Sequence, residues 1–382
     1  MTARAVRGRL ARTLEDDVAK AHILVCTGAG GVGKTTTAAA LGLAAASMGR
    51  RALVLTIDPA RRLAQSLGVD ALDNTPRRVE GAAGELWAMM LDMKRTFDEV
   101  VEEHAASRER AAAIKSNRIY QTLSSTLSGT QEYMAMEKLH ELHMTGDWEL
   151  LLIDTPPTRS ALDFLDAPRR MTDFLEGRLL RALLLPGMAA GKGLTRMIGF
   201  GTQAFMRVAG RVTGMELLED LANFFRSFEG LYDGFKQRAE EVRTLLAAPD
   251  SRFVVVATPQ PPPLREARFF LERLQQEGLH TAGVVVNRVH VACGDCPGDD
   301  HLRRASQAQP DDVEGRAAAG ALRLLADMQN LALRERHDVA AALYGLRPPA
   351  LVEVPLLRSD VHNLETLGEV ADFLTGAGRP GF

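Results

Sequence analysis

The run Gly28-Ala29-Gly30-Gly31-Val32-Gly33-Lys34-Thr35 fills every position of the pattern G-x-x-x-x-G-K-[ST]. Glycines let successive backbone N–H groups turn inward around a chain of phosphates, and a helix starting directly afterwards adds the positive end of its dipole. Lys34 then reaches the β- and γ-phosphates, the Thr35 hydroxyl holds Mg²⁺, and Gly28, Gly30, Gly31, Val32, Gly33 and Thr36 complete the expected cradle. Two carboxylates fit the same chemistry. Asp154 closes the run LLLID ahead of Thr155-Pro156-Pro157, and an acid at the end of a strand beside the loop can hold the Mg²⁺ shell through water. Asp58 closes LTID in LTIDPARR, where it can orient or deprotonate an attacking water. Either aspartate also suits a helix cap, the more so at Asp58, where Pro59 follows.

A second cluster is Cys293-Gly294-Asp295-Cys296. One C-x-x-C gives zinc half of the thiolates that a closed tetrahedral site takes. The remaining ligands would come from His290, from His301, or from a second copy of the pair across a symmetry axis. A redox dithiol, an iron–sulfur cluster shared between subunits and an unliganded surface loop fit the same residues. Cys26 lies within an apolar run and reads as a small buried hydrophobe. His140 and His143, in EKLHELHM, read as a surface pair, and the Arg61, Arg62, Arg77 and Arg78 spots as solvated or phosphate-facing.

These groups need a scaffold. AHILVCT (21–27), the glycine loop, TTTAAALGLAAASMG and RALVLTID (51–58) form a strand, loop, helix, strand series, the opening of a parallel α/β sheet. LWAMMLD (86–92), WELLLIDT (148–155), RFVVVAT (252–258), AGVVVNRV (282–289) and ALVEVPL (350–356) supply further strands. Several are continuous apolar runs, as expected of strands covered on both faces. Segments of about 93–145 and 166–246 read as helical and suggest a subdomain grown out of the sheet, and 290–312 reads as a polar loop around the cysteines. With no repeated P-loop and no clean linker, residues 1–382 read as one composite domain. Within the helical part, Leu194, Met197, Ile198, Phe205 and Val208 recur at near-helical spacing among many methionines. That pattern suits either helix-packing core or a groove that accepts an apolar helix.

Composition closes off several classes. The 382 residues carry 46 Lys+Arg against 49 Asp+Glu, a formal charge of -3, which supplies no global basic field for nucleic acid. With 46% apolar and 25% charged residues the chain is an ordinary globular one. Three cysteines make no disulfide framework. Neither a signal peptide nor a membrane span is evident, so a cytoplasmic, non-integral protein is expected.

GAGGVGKTTTAAALG, LTIDPARRLAQSLG, LLLIDTPPTRSALDFL and VVVNRV together resemble the ATPase family of the arsenite-pump ATPase and of the eukaryotic ATPase that targets tail-anchored membrane proteins, relatives of the MinD/ParA group of deviant-Walker ATPases. The likeness spans about 20–375. It implies an α/β P-loop NTPase fold with a mostly parallel sheet, flanking helices and an inserted helical subdomain. It also implies ATP/ADP and Mg²⁺ as cofactors and a dimer, homo- or heteromeric, that closes on ATP and reopens on hydrolysis. By resemblance Asp58 is the water-orienting acid, Asp154 the acid of the second switch, Asn287 a hydrogen-bond partner of adenine, and Pro355 part of the loop that packs the base. Cys293 and Cys296 correspond to a pair that clamps a homodimer through one zinc, and the helical insert to a groove for a client's membrane helix. Two departures stand out. Ala29 replaces the family's second P-loop lysine, which reaches into the partner's site. The helical segments contain no cysteine, which argues against activation by arsenite. The implied function is a nucleotide-driven capture or targeting device for hydrophobic clients. The alternatives are an energising subunit for arsenite or anion efflux, and an ATPase or scaffold working with a paralogue that supplies the missing lysine.

Overall fold

The computed structural model describes residues 13–58, 62–117, 120–121, 130–156, 234, 237–293 and 297–377. Contacts divide the chain into two units, one built from Met1–Met90, Thr145–Ala161 and Leu245–Phe382, the other from Leu91–Met144 and Leu162–Thr244.

The first unit holds an eight-stranded sheet. In chain order its elements are α1 (Glu15–Lys20), β1 (Ile23–Thr27), α2 (Lys34–Ser47), β2 (Ala52–Thr56), α3 (Arg62–Leu67), β3 (Arg77–Arg78), β4 (Leu86–Met90), β5 (Leu150–Asp154), β6 (Ser251–Ala257), α7 (Pro261–Gln276), β7 (Thr281–Val289), α8 (Asp299–Gln307), α9 (Val313–Ala342), β8 (Leu351–Pro355) and α10 (Leu364–Thr375), with α4 to α6 in the second unit. Strand order is β3-β4-β2-β5-β1-β6-β7-β8. Every pairing is parallel except β3 with β4. The sheet is thus the mostly parallel one expected, and β1, β2 and β5 are buried along their whole length, as their unbroken apolar sequences require.

Helix α2 shows why an alanine-rich sequence follows the loop. Eleven of its fourteen residues are buried, so small side chains are needed on nearly every face. At Gly42 a Cβ would lie 2.7 Å from Val54 Cγ2 and 3.1 Å from Leu86 Cδ1. Helix α10 covers the other side, with Leu367, Val370, Ala371 and Leu374 in the same core cluster. Leu14 N–H donates to the Leu374 carbonyl at 2.9 Å, tying the start of the described chain to its last helix.

One local reading narrows to its solvated alternative and another changes. Arg77 and Arg78 form the short antiparallel edge strand, with Arg77 paired to Asp73. They lie four strands away from β1, so they are edge residues rather than phosphate-facing ones. Part of the polar stretch after the cysteines is helical: α8 starts after Gly298, places Asp299 and Asp300 in its first turn and buries Leu302 and Ser306. Arg303 pairs with Asp299 one turn back, an i,i+4 arrangement that offsets the poor apolar content.

The second unit contains α4 (Met93–His104), α5 (Arg108–Ser116) and α6 (Thr130–Thr145), and residues 237–240 begin a further helical stretch. Asp92 and Ser107 cap the first two through their side chains. Several buried polar groups pair. Tyr120 donates to Asp98 at 2.6 Å and stacks on Phe97, Arg238 Nε meets Glu137 at 2.6 Å, and Lys138 reaches Glu99 and Glu141. His140 hydrogen-bonds Glu241 at 2.8 Å. Met134 and Met136 are core residues. The stretch 194–208, with Met171, Met188, Met197 and Met206, lies outside the described residues. No helix among the described residues is long and apolar enough to cross a membrane.

The closeness of α2 to the sheet generates a stability test. Gly42→Val adds a branched side chain where Val54 and Leu86 already stand, and overpacking of this kind costs about 2 kcal/mol. Urea unfolding of the variant should show a lower midpoint with an unchanged m-value.

Candidate functional site

Strand β1 runs into the loop 28–33, and α2 begins at Lys34. Glycine is required at both ends of that loop. A Cβ on Gly28 (φ 149°) would sit 2.0 Å from the Val256 carbonyl oxygen of β6, and one on Gly33 (φ 100°) 2.3 Å from Asn287 Nδ2. The loop therefore presses against β6 on one side and against the end of β7 at the other. Lys34 is buried, and its ammonium donates to the carbonyls of Gly28 at 3.0 Å and Ala29 at 2.9 Å. Burial lowers its pKa, an effect opposed by Asp154 and Asp58 and reinforced by Arg62.

Parallel register delivers the acid. Asp154 pairs with Cys26 on β1 and with Thr56 on β2, so the end of β5 lies between the two strands. Its Oδ2 accepts from Thr35 Oγ1 at 2.7 Å and from Thr56 Oγ1 at 2.8 Å. Its Oδ1 is buried and has no hydrogen-bond partner among the described residues. Thr155 donates to the Cys26 carbonyl at 2.8 Å, fixing the chain beyond the acid. Desolvation raises the Asp154 pKa to about 6 against the pull of the two threonines and Lys34. Asp58, just beyond β2, is buried and close enough to Lys34 and Asp154 to perturb both.

An unsatisfied carboxylate oxygen beside a threonine hydroxyl, under a lysine, is an oxygen-donor set suited to a hard divalent cation. The residues present fit Mg²⁺. Thr56 is the donor that sequence reasoning missed, and its signal was available: it is the last residue of β2, two positions before Asp58.

Asn287, at the end of β7, donates from Nδ2 to the Val32 carbonyl at 2.9 Å, and its Oδ1 accepts from Arg288 N–H at 2.9 Å. The side chain is thus a strap between β7 and the loop. Pro355 ends the neighbouring strand and pairs with Val289 across an irregularity in register. Thr36 lies in the first turn of α2, half-buried. Ala29 is buried within the core cluster, 8% exposed. Arg61 lies outside the described residues.

The cysteine cluster is different. Cys293 is exposed and disulfide-bonded; Cys296 lies outside the described residues. His290 is held by Glu335 of α9, whose carboxylate accepts from both its backbone N–H and Nδ1 at 2.8 Å. Among the described residues no group of three or more His, Cys, Asp or Glu converges on a metal position.

The buried acid predicts a pH signature. With a folded pKa near 6 and an ordinary value of 3.8, the carboxyl is neutral in both states only below about pH 3. Between there and pH 6 the unfolded chain ionises first, so the acid's contribution falls as pH rises. Above that it costs on the order of 3 kcal/mol. Without metal or nucleotide, Asp154→Asn should be more stable than wild type by about 1–3 kcal/mol at pH 7.5, and the gap should close towards about pH 3 in denaturant titrations.

Comparison with known proteins agrees with this geometry. The profile of the anion-transporting ATPase family matches residues 21–310. A protein named ATPase GET3 from Malassezia globosa is 25% identical over 358 residues, 94% of this chain and 92% of its own. A putative arsenical pump-driving ATPase 1 from Aquifex aeolicus is 22% identical, covering 94% and 80%. An uncharacterized protein of Streptomyces coelicolor is 31% identical over 86% of this chain and 77% of its own. A P-loop whose lysine, threonine and strand-end acid stand together, within a match across most of the chain, places the protein in the anion-transporting ATPase family, as an ATPase.

Proposed function

We propose that the chain is a Mg²⁺-dependent ATP switch that works as a dimer and couples its nucleotide state to the capture or targeting of clients with exposed apolar helices. The observation that carries the nucleotide part is the unpartnered Oδ1 of Asp154 beside Thr35. Bound Mg²⁺ would neutralise phosphate charge and would be held by Thr35 directly and by Asp154 through water. Lys34 exchanges its carbonyl partners at Gly28 and Ala29 for phosphate oxygens. Asp58 orients the attacking water or takes its proton. Asn287 and Pro355 flank the base. The client part is supported by the apolar spacing at 194–208 and by the family resemblance.

Ala29 favours a second reading. Its side chain is short, uncharged and buried, so it supplies nothing to a neighbouring site, and a related ATPase carrying the lysine would complete the pair. Efflux has less support: the family's description and the name of the Aquifex relative point to it, but the cysteines are Cys26, Cys293 and Cys296 alone, none in the helical segments. The pair at Cys293 and Cys296 fits a zinc shared across the two-fold axis only when both are thiolates.

Separate measurements test each part. Lys34→Ala should lose nucleotide binding and turnover. Asp58→Asn should keep binding and lose about a hundredfold or more in turnover; full activity in K34A would sink the site assignment. A model client with one apolar helix of roughly 20 residues should co-elute in one nucleotide state and not the other, and equal retention under ATP and ADP would defeat the coupling. For the cysteines, the reduced protein should carry one zinc per dimer, and C293S/C296S should lose both metal and nucleotide-free dimer. A dimer that survives both substitutions rests on packing instead. Mixing with a lysine-bearing paralogue should raise turnover above the summed rates if the second reading holds.

A further inference from the structure

Helix α9 (Val313–Ala342) is covered differently in its two halves. Along the first, Gly315, Ala319, Ala326 and Gln329 are buried on the side where α8 lies. Ser306 Oγ of α8 donates to the Ala319 carbonyl at 2.9 Å, and Asn330 Nδ2 donates to Asp299 at 2.8 Å. The second half is anchored elsewhere. Arg268 of α7 donates to the Ala342 carbonyl at 2.9 Å, and Glu335 accepts from His290 just beyond β7. At about 100° per residue, Val313, Ala317, Ala321, Leu324 and Met328 fall within an arc of about 80° on the side away from α8. The same arc continues through Glu335 and Val339. Those two are buried, whereas the first five are exposed, Val313 by 75%, Leu324 by 63% and Met328 by 41%. The apolar arc thus overhangs the elements that cover its second half.

A continuous apolar row over about 22 Å of helix differs from single scattered surface residues, and the arc itself restricts what can cover it. A helix laid along it in parallel would run into the cover that begins near Glu335; an antiparallel helix ends there. The row is also complementary to itself. About a two-fold axis between Gly320 and Ala321, Val313 faces Met328 of a second copy and Ala317 faces Leu324 of that copy. Each longer side chain meets a shorter one, and Gly320 and Ala321 let the backbones approach at the axis. Charge agrees with this register. Between Val313 and Met328 the arc carries no charged side chain, and on one flank Arg316 comes opposite Asp327 of the second copy. Within one chain these two make only exposed pairs, with Asp311 and Arg303, so both can join a wider network.

We propose that this arc of α9 is a self-association surface, occupied by the same arc of a second copy running antiparallel. The contact does not involve the loop 28–33 and does not rest on the ATP-site reading. Two such rows bury roughly 400 Å² per copy, about half of what each partner buries in a stable complex. The contact is therefore transient alone, and it forms as concentration rises or where another interface already holds copies together.

Sedimentation of the reduced, nucleotide-free protein over a wide concentration range should show mass rising with concentration. Leu324→Glu sets a carboxylate against Ala317 of the second copy and should weaken that association about tenfold or more. Adding Ala317→Lys gives the carboxylate a partner across the contact and should recover most of the loss, which a merely destabilised helix would not do. Both variants should melt near the wild-type temperature, because the substituted side chains are exposed. In C293S/C296S, whose remaining Cys26 is buried, oxidation should crosslink Ala321→Cys to itself. Val313→Cys should crosslink to Met328→Cys in a mixture and not to itself. Association unchanged by L324E would overturn the proposal, as would V313C pairing with itself, the mark of a parallel contact. A wild-type mass constant at every concentration would overturn it too, and a different apolar helix held there instead would assign the face to another partner.

Discussion

A carboxylate held out of water with half of its hydrogen-bonding capacity unused is the constraint around which this fold is arranged. Asp154 can occupy that position only because β5 lies between β1 and β2, in a register that puts Thr56 beside one oxygen, and because α2 begins where Thr35 can reach the same oxygen. Each support is a short side chain at an element's end, where the chain has little freedom to compensate for a shift. Folding tolerates the ionised acid because the apolar strands and α2 supply far more than it removes. The site is a strained part of a well-packed unit, as expected where function overrides local preference.

The two sides of β1 divide the labour. Towards β5 and β2 stand the acids and the buried lysine; towards β6 and β7 the loop is pressed against backbone and strapped by Asn287. The loop is thus rigid where it meets the sheet and is filled by its own lysine where a ligand would enter. On the function proposed above, binding would exchange one set of Lys34 partners for another, which would limit its entropic cost.

Much of this was legible in the residues. The strands announced themselves as unbroken apolar runs, and the loop motif fixed β1 and α2 by itself, since its glycines and lysine have meaning only between those elements. Asp154 was readable because an acid ending LLLID is costly unless it has work to do. The details that escaped depend on register. Thr56 becomes a partner of Asp154 only through pairing between strands nearly a hundred residues apart. The exposure of Arg288 goes with a register shift between β7 and β8 that no local pattern announces. The helix α8 hid because its stability comes from charge pairs and two buried residues, not from an apolar stripe. Cysteine chemistry was legible as a set of options only, since one pair of thiols specifies no geometry.

The packing of α10 against α2 places the last helix of the chain directly over the element that carries Lys34 and Thr35. The helix behind the loop is therefore braced by a segment far from it in sequence. A change in the apolar face of α10 would loosen that wall without touching the loop, so the two ends of the described chain share one mechanical fate.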